Sequence, residues 1–308
     1  GRLVRTELPN GTRAHVEFSP WEQRSYDPND DVLESSWYAE RIALSSGDPE
    51  RRAAELAEAH AGTPTVTHLD HLGRAFLAVV HTRDSSGDDV YYETRARLDV
   101  KGNVLWISDA NGTVAEERIH GMLGQVLQTT SLEVGNRYAL SDVLGAPLYA
   151  TASRGFSTRY RYDQARRPTH TFVTRPDSSS FTATRIVYGE AAASPTATNL
   201  RGQVFRIYDG AGLQVQEQFD VDGNLVRQSR CLAAAYDTTP DWSDLDDLDD
   251  PADMDTATAA VLETEVFTTE ASFDAMGRPA TKTSPDASVL HLGYGDAGHL
   301  ETVAANVR

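Results

Sequence analysis

Residues 204–228 read VFRIYDGAGLQVQEQFDVDGNLVRQ and contain two copies of one short unit. Each copy has an aromatic residue, an Asp, two variable residues and a Gly: Tyr208-Asp209 with Gly212, and Phe219-Asp220 with Gly223. Asp at the first position of a type I turn bonds to its own backbone, and Gly three residues later adopts the positive φ that other residues avoid. The flanks alternate with period two, which is typical of strands. The unit therefore predicts a β-hairpin closed by a type I turn and a Gly bulge.

The same unit recurs along most of the chain. Gly follows Asp by three residues at Asp70, Asp99, Asp109, Asp142, Asp209, Asp220 and Asp274. Three variants keep part of the pattern, because Gly121 and Gly295 stand in the Asp position and Arg166 follows Asp163 in the Gly position. Several gaps between units are 10 to 12 residues and three are 21. This spacing indicates an internal repeat of hairpins.

Three segments interrupt the repeat. In the first, about 44–64, Asp48-Pro49-Glu50 is a helix-start signal and predicts a short helix within 48–62. Residues 175–197 are rich in Ser, Thr and Ala and predict a loop outside the sheet, although 182–188 alternate like a strand. In the third, about 232–264, a run of Asp residues precedes Asp250-Pro251, which predicts a second short helix within 250–264. We interpret all three segments as insertions that a repeat array tolerates.

The composition excludes several partners. The 308 residues include 28 Lys and Arg against 46 Asp and Glu, which gives a net charge of −18. Such a surface repels phosphate backbones and anionic lipid, so we expect no nucleic-acid partner. No apolar run approaches the roughly 20 residues of a membrane span. Cys231 has no second cysteine to pair with, and we interpret it as a small core residue.

Three clusters resemble metal or catalytic sites. His68-Leu69-Asp70-His71 has metal-ligand residue types, but Asp70 is the first residue of a turn and no third His or Glu lies nearby. Residues 220–224 begin like a calcium loop, but their Gly is fourth instead of sixth. The run 241–255 could bind a divalent ion weakly, and we interpret it as a solvated acidic insertion. The sequence therefore predicts no metal, cofactor or catalytic residue.

The aromatic-Asp units resemble YD repeats. The longer stretches 65–74 (TVTHLDHLGR), 160–168 (YRYDQARRP) and 235–242 (AYDTTPDW) extend the resemblance over nearly the whole chain. The chain resembles the RHS/YD-repeat proteins, most closely the shell-forming B component of bacterial Tc (insecticidal) toxin complexes and related virulence proteins. The motif residues that match are Tyr162, Asp163, Tyr208, Asp209, Gly212, Phe219, Asp220, Gly223, Phe273, Asp274 and Gly277.

The resemblance implies a fold and a function. In that family the repeats form a β-strip that spirals into a hollow shell around a C-terminal toxic polypeptide, and the matching residues are structural. It implies a secreted or cell-surface bacterial protein, with the rest of the shell, the enclosed toxin and other toxin-complex components as partners. The family's D-P-x-G self-cleavage sequence is absent from these 308 residues.

We therefore expect an all-β fold: a YD-repeat antiparallel hairpin strip, a segment of a hollow RHS shell, with two short helical insertions. Residues 1–308 would form one continuous segment cut from a longer chain, since 1–5 look like the middle of a repeat. The predicted function is non-enzymatic enclosure of a toxic polypeptide. The alternative is an adhesive cell-surface array whose aromatic residues bind glycans, and a third hypothesis is an enzyme that uses the Asp-rich run.

Overall fold

A computed structural model describes residues 3–306, which divide between Tyr138 and Ala139 into two compact units, each built from sequential β-hairpins. Of the stretch 1–5, residues 1 and 2 lie outside the described part. Every strand pairs antiparallel with the strand before it inside its unit, so the predicted all-β hairpin fold is confirmed. Sequential pairing is what short turns between neighbouring strands produce.

The first unit contains β1 to β9 and the start of β10, which crosses the boundary between the units. These strands are β1 (Arg5–Glu7), β2 (Arg13–Phe18), β3 (Glu22–Tyr26), β4 (Thr65–Leu69), β5 (Ala75–Arg83), β6 (Asp89–Leu98), β7 (Val104–Ser108), β8 (Val114–His120), β9 (Val126–Ser131) and β10 (Gly135–Ser141).

Two helices lie between β3 and β4. The predicted helix is α2 (Pro49–Glu58), where Asp48 caps the N-terminus by accepting a bond from the Glu50 amide. A helix that the sequence analysis did not predict, α1 (Ser36–Ile42), precedes it. Its cap is Ser35, whose hydroxyl accepts a bond from the Tyr38 amide at 3.1 Å. Buried Asp30 fixes the end of this insertion, because its carboxylate accepts a 2.6 Å bond from the Thr63 amide.

The second unit contains eleven further strands within the described residues. They are β11 (Pro147–Ala152), β12 (Ser157–Tyr162), β13 (Pro168–Thr174), β14 (Ser180–Tyr188), β15 (Val204–Asp209), β16 (Gly212–Phe219), β17 (Leu225–Leu232), β18 (Phe267–Phe273), β19 (Pro279–Thr283), β20 (Val289–Tyr294) and β21 (Leu300–Asn306).

The prediction that 175–197 leave the sheet is wrong for the first half of that segment. Strand β14 pairs with β13 and β15 over its length, as the alternation of 182–188 indicates. The following residues, from Gly189 to β15, are the part that leaves the ladder. Thr is favoured on a half-buried pleated surface, so the Thr residues of β14 are compatible with a strand.

The third helix, α3 (Pro251–Thr258), confirms the predicted second helical insertion. Asp250 caps it by accepting a 2.8 Å bond from the Ala252 amide. It lies within the segment 233–266 between β17 and β18, which we call the acidic cover. The main buried cluster of the second unit lies between this segment and the sheet.

Candidate functional site: the Asp turns and the covered face

The turn after β16 shows the geometry of the repeat. The Asp220 amide donates to the Asn224 carbonyl at 2.9 Å, and the Gly223 amide donates to the Asp220 carbonyl at 3.3 Å. The Asp220 carboxylate accepts bonds from the Asp222 and Asn224 amides at 2.9 and 2.8 Å. Gly223 has a φ of +86°. This is a type I turn followed by a Gly bulge.

The same two backbone bonds close fourteen turns within residues 3–306, and the fourth residue has positive φ in all of them. The turns begin at Leu8, Asp70, Asp84, Asp99, Asp109, Gly121, Asp142, Ala152, Asp163, Arg175, Asp220, Asp274, Ser284 and Gly295. Five of these were not identified from the sequence as repeat units: Leu8, Asp84, Ala152, Arg175 and Ser284. Asp84 with Gly87 does fit the Asp-x-x-Gly pattern and could have been found. Ser178 and Ala287 replace the Gly elsewhere and hide the signal.

The two copies in 204–228 form different turns. Asp209 pairs directly with Gly212 in the β15–β16 register, so only Gly210 and Ala211 lie between the strands. Gly212 has a φ of +121°, and a Cβ there would lie 2.3 Å from the Cys231 carbonyl oxygen of β17. The first copy is therefore a two-residue hairpin instead of a bulged turn. Its Gly is required by the close approach of a third strand as well as by its own φ.

The predicted aromatic positions differ in burial. Tyr208 is fully buried and Phe219 is buried, whereas Tyr162 and Phe273 are half-buried. The Tyr162 hydroxyl donates to the Pro147 carbonyl at 2.6 Å. These residues lie at strand ends beside their turns, and no single pocket brings the predicted motif residues together. Their structural role in the repeat stays a prediction.

A group that the sequence analysis missed is the residue four places after the turn Asp. Arg74, Arg167 and Arg278 each donate from Nε to the carboxylate of their own turn Asp at 2.7 to 2.8 Å. Asn103 and Asn224 donate their side-chain amides to the turn Asp in the same position. The spacing Asp-x-x-x-Arg or Asp-x-x-x-Asn is visible in the sequence and could have revealed this bond.

Two of these arginines also connect neighbouring hairpins. The Arg167 guanidinium lies 3.9 Å from the Tyr188 ring centroid, and Arg278 lies 4.3 Å from the Tyr294 centroid. Both tyrosine hydroxyls in turn donate to the carbonyl of the Pro that directly follows the arginine, Pro168 or Pro279. The motif Asp-x-x-x-Arg-Pro with a later Tyr is thus one bonded unit.

Hydrogen bonds lower the pKa of the turn carboxylates. The backbone amide of Arg74, followed by its guanidinium, lowers the pKa of Asp70 from 3.8 to about 2. The amide of Arg278 similarly lowers the pKa of Asp274, and the side chain of Asn224 lowers that of Asp220. Donors to the ionised form stabilise it. These carboxylates are structural acceptors and are poorly suited to act as general bases.

The acidic cover packs its apolar side chains on one face of the second unit. Trp242, Leu245 and Met254 are at most 1% exposed and form a cluster with Tyr208 and Leu213 of the sheet. The Trp242 indole donates to the Asp209 carbonyl at 3.1 Å. The interpretation of this segment as solvated is therefore wrong for its apolar residues. Their alternation with Asp is the pattern of a segment with one buried face.

The cover is also bonded to basic residues of the sheet. Buried Arg185 donates to the Leu248 carbonyl at 2.7 Å and to Asp249 at 3.2 Å. Arg206 donates to Asp255 at 2.6 Å and to the Pro251 carbonyl at 3.1 Å. The pairing explains the acidic composition of the segment, because buried guanidinium groups require partners.

His170 lies buried on the same face, stacked on Phe172 with ring centroids 5.4 Å apart. Burial, followed by the positive charges of Arg185 and Arg161, lowers its pKa to about 4. His170 is therefore neutral at pH 7. Burial also raises the pKa of the Cys231 thiol, so this cysteine is a poor nucleophile.

The candidate metal ligands are separated or already bonded. Asp70 is used by Arg74, and the turn geometry places His71 in an exposed turn position. Within residues 3–306 no group of three or more His, Cys, Asp or Glu side chains is placed to hold a metal ion. The described helices include none that is long and apolar enough to cross a membrane. The geometry is that of a structural repeat.

Comparison with known proteins finds toxin subunits to which this chain is similar. Over 262 residues the chain is 25% identical to toxin subunit YenC1 of Yersinia entomophaga, covering 79% of this chain and 26% of that protein. Toxin subunit YenC2 of the same organism is 24% identical, covering 77% of this chain and 26% of that protein. The chain is similar to these toxin subunits. No family model matches it. The chain spans about a quarter of the length of these relatives.

Solved structures show the same fold. The crystal structure of TcdB2-TccC3 superposes with a TM-score of 0.78 at 22% identity, covering 100% of this chain and 14% of that one. The Photorhabdus luminescens Tc holotoxin pore gives a TM-score of 0.78 at 22% identity, over 99% and 14% of the two chains. The chain therefore has the same antiparallel β-hairpin fold as these structures.

Proposed function

We propose that this chain is a non-enzymatic segment of a Tc-type toxin shell that encloses a C-terminal toxic polypeptide. The observation that supports it most is the sequential ladder of fourteen similar turns within residues 3–306 in a chain similar to toxin subunit YenC1. A ladder of this kind grows by adding hairpins, so it can extend around a volume too large for one domain core. Residues 1–308 would then be one part of a longer strip.

The hydrogen bonds of the turns support a structural role in the shell wall instead of a catalytic role. The turn carboxylates, the arginines that follow them and the tyrosine hydroxyls are bonded to one another or to backbone carbonyls. A catalytic group has to be available to a substrate, whereas these groups hold neighbouring hairpins together. The partners proposed are the rest of the shell, the enclosed polypeptide and other toxin-complex components, in a secreted or cell-surface setting.

The proposal is tested by protease protection in the complete polypeptide that contains this segment. The enclosed C-terminal polypeptide is expected to resist a protease that digests it rapidly once the shell is unfolded. Trp242→Ala removes the centre of the covered cluster and is expected to raise the digestion rate, whereas Trp21→Ala, at a position 61% exposed, is not. Digestion of the C-terminal polypeptide at the same rate in folded and unfolded shells would contradict enclosure.

A further inference from the structure

One face of the first unit has a row of aromatic side chains with a gap in the middle. His15 and Tyr26 stack with ring centroids 4.1 Å apart, on β2 and β3. His81 and Tyr91 stack with centroids 4.5 Å apart, on β5 and β6. Both pairs are directly opposed in the strand registers, His15 with Tyr26 and His81 with Tyr91. Each pair is therefore a cross-strand stack standing on the sheet.

The residue between the two stacks is Pro64. The β3–β4 register pairs Ser25 with Thr65, so it continues to Tyr26 and Pro64. The β4–β5 register pairs Val66 with Val79, so it continues to Pro64 and His81. One row across five neighbouring segments thus reads aromatic, aromatic, proline, aromatic, aromatic. The small pyrrolidine ring leaves an open slot where a fifth planar ring would complete the row.

The slot is a cavity of about 450 Å³, within the range of small-ligand sites. Its walls include Arg24, Tyr26 and His81, and its floor includes Pro64, Val66 and Val79. Tyr26 and His81 stand two strand spacings apart, roughly 9.6 Å. A ring placed midway would lie roughly 4.8 Å from each wall, close to the 4.1 and 4.5 Å of the existing stacks.

Polar atoms of three of the lining residues already have partners. The Tyr26 hydroxyl donates to Glu17 at 3.3 Å, His81 Nε2 bonds to Asp89 at 2.9 Å, and Arg24 Nε donates to Glu22 at 2.9 Å. A sugar would need free donors and acceptors for its hydroxyls, whereas an aromatic ring needs ring faces and an apolar floor. The net charge of −18 disfavours a nucleotide base with its phosphates.

We propose that this slot binds an aromatic side chain of a polypeptide, a Trp, Tyr or Phe ring inserted between Tyr26 and His81 above Pro64. The site belongs to the first unit alone and does not depend on the proposed enclosure of a toxin. It recognises a ring instead of a sequence. It would therefore accept extended or unfolded chains that expose aromatic residues.

The test measures binding of N-acetyl-L-tryptophanamide to the 308-residue chain by saturation-transfer NMR and calorimetry. N-acetyl-L-leucinamide and methyl β-D-glucopyranoside are the comparison probes. Only the tryptophan probe is expected to bind. Tyr26→Ala and His81→Ala should each weaken it about three- to tenfold, the effect of one lost ring stack. Tyr92→Ala is the control, because Tyr92 is the neighbour of Tyr91 on the same strand and points to the opposite face.

Pro64→Phe is a second variant, which fills the slot from the chain itself without removing a wall. It should abolish binding of the tryptophan probe while the far-UV circular dichroism stays unchanged. The proposal is overturned if the tryptophan probe does not bind up to its solubility limit. It is equally overturned if Tyr92→Ala weakens binding as much as Tyr26→Ala. Binding of the glucoside with loss in the wall variants would make the slot a carbohydrate site instead.

Discussion

The glycines of this fold are required for different reasons. Two properties distinguish them: the φ angle of the residue and the space available to a Cβ atom. Gly212 and Gly223 both have positive φ, whereas Gly210 does not. A Cβ at Gly223 or Gly210 would meet open space, but at Gly212 it would lie 2.3 Å from a backbone carbonyl oxygen. Gly212 and Gly223 occupy the same position in the sequence pattern. The pattern does not show that β17 lies close to Gly212.

Alanine substitutions should therefore have graded effects on the free energy of unfolding. Gly212→Ala is expected to cost at least about 3 kcal/mol, because both backbone strain and a clash oppose it. Gly223→Ala should cost about 1 kcal/mol from its positive φ alone. Gly210→Ala should change stability by less than about 0.5 kcal/mol. Urea unfolding of the three variants measures the series, and equal effects at 210 and 212 would refute the turn register.

The turn carboxylates predict a loss of stability in acid. The pKa of Asp70 is lower in the folded chain, about 2, than its ordinary value of 3.8. Its contribution is therefore complete above pH 3.8 and is lost as the pH falls through about 2. The stability difference between wild type and Asp70→Asn should shrink over this interval, measured by urea unfolding at several pH values. Asp222→Asn, in a variable turn position, is the control, and a pH-independent difference for Asp70→Asn would contradict the assignment.

At the scale of elements, helix starts could be predicted from the sequence, because a capping residue and the proline after it act within a few residues. Helices α2 and α3 begin at Asp-Pro pairs whose Asp caps the helix, and both were predicted. Helix α1 was not predicted, although Ser35 is a capping residue at its start. Strand β14 was read mainly as loop from its composition. For β14 the Ser, Thr and Ala content was given more weight than the alternation of residues 182–188.

The acidic cover shows what sequence reasoning could not reach. Its helix was predicted, but the burial of Trp242 and Leu245 depends on strands some 30 to 60 residues away in sequence. The partners of its carboxylates, Arg185 and Arg206, lie 64 and 49 residues from Asp249 and Asp255. The density of Asp residues alone indicates a segment exposed to solvent. Only the contacts with Arg185 and Arg206 show that the segment is bonded to the sheet. The repeat motif, by contrast, is local and could be predicted.

Truncation of the central tryptophan of the cover tests its packing. Trp242→Ala should destabilise the second unit by about 3 to 5 kcal/mol, as expected for loss of a fully buried large side chain. Trp21→Ala should cost less than about 1 kcal/mol, because Trp21 is 61% exposed. Chemical denaturation followed by circular dichroism measures both. Similar costs for the two variants would show that the cover does not form this core.

At the scale of the whole molecule, charge opposes the association that exposed strand edges favour. All seven residues of β21 are exposed, and within the described residues it pairs only with β20. The net charge of −18 repels a second copy, most strongly at low salt. The 308-residue chain should therefore form larger oligomers as the salt concentration rises. Light scattering across a salt series measures this, and a salt-independent monomer would indicate protected edges.

Enclosure of a polypeptide is the central claim, and it concerns the complete protein. Electron cryomicroscopy of the complete polypeptide that contains this segment tests it most directly. The predicted result is a closed hollow wall in which residues 1–308 form a strip of hairpins, with weak density for a C-terminal polypeptide inside. An open array with no enclosed volume, or a C-terminal domain folded outside the wall, would contradict it.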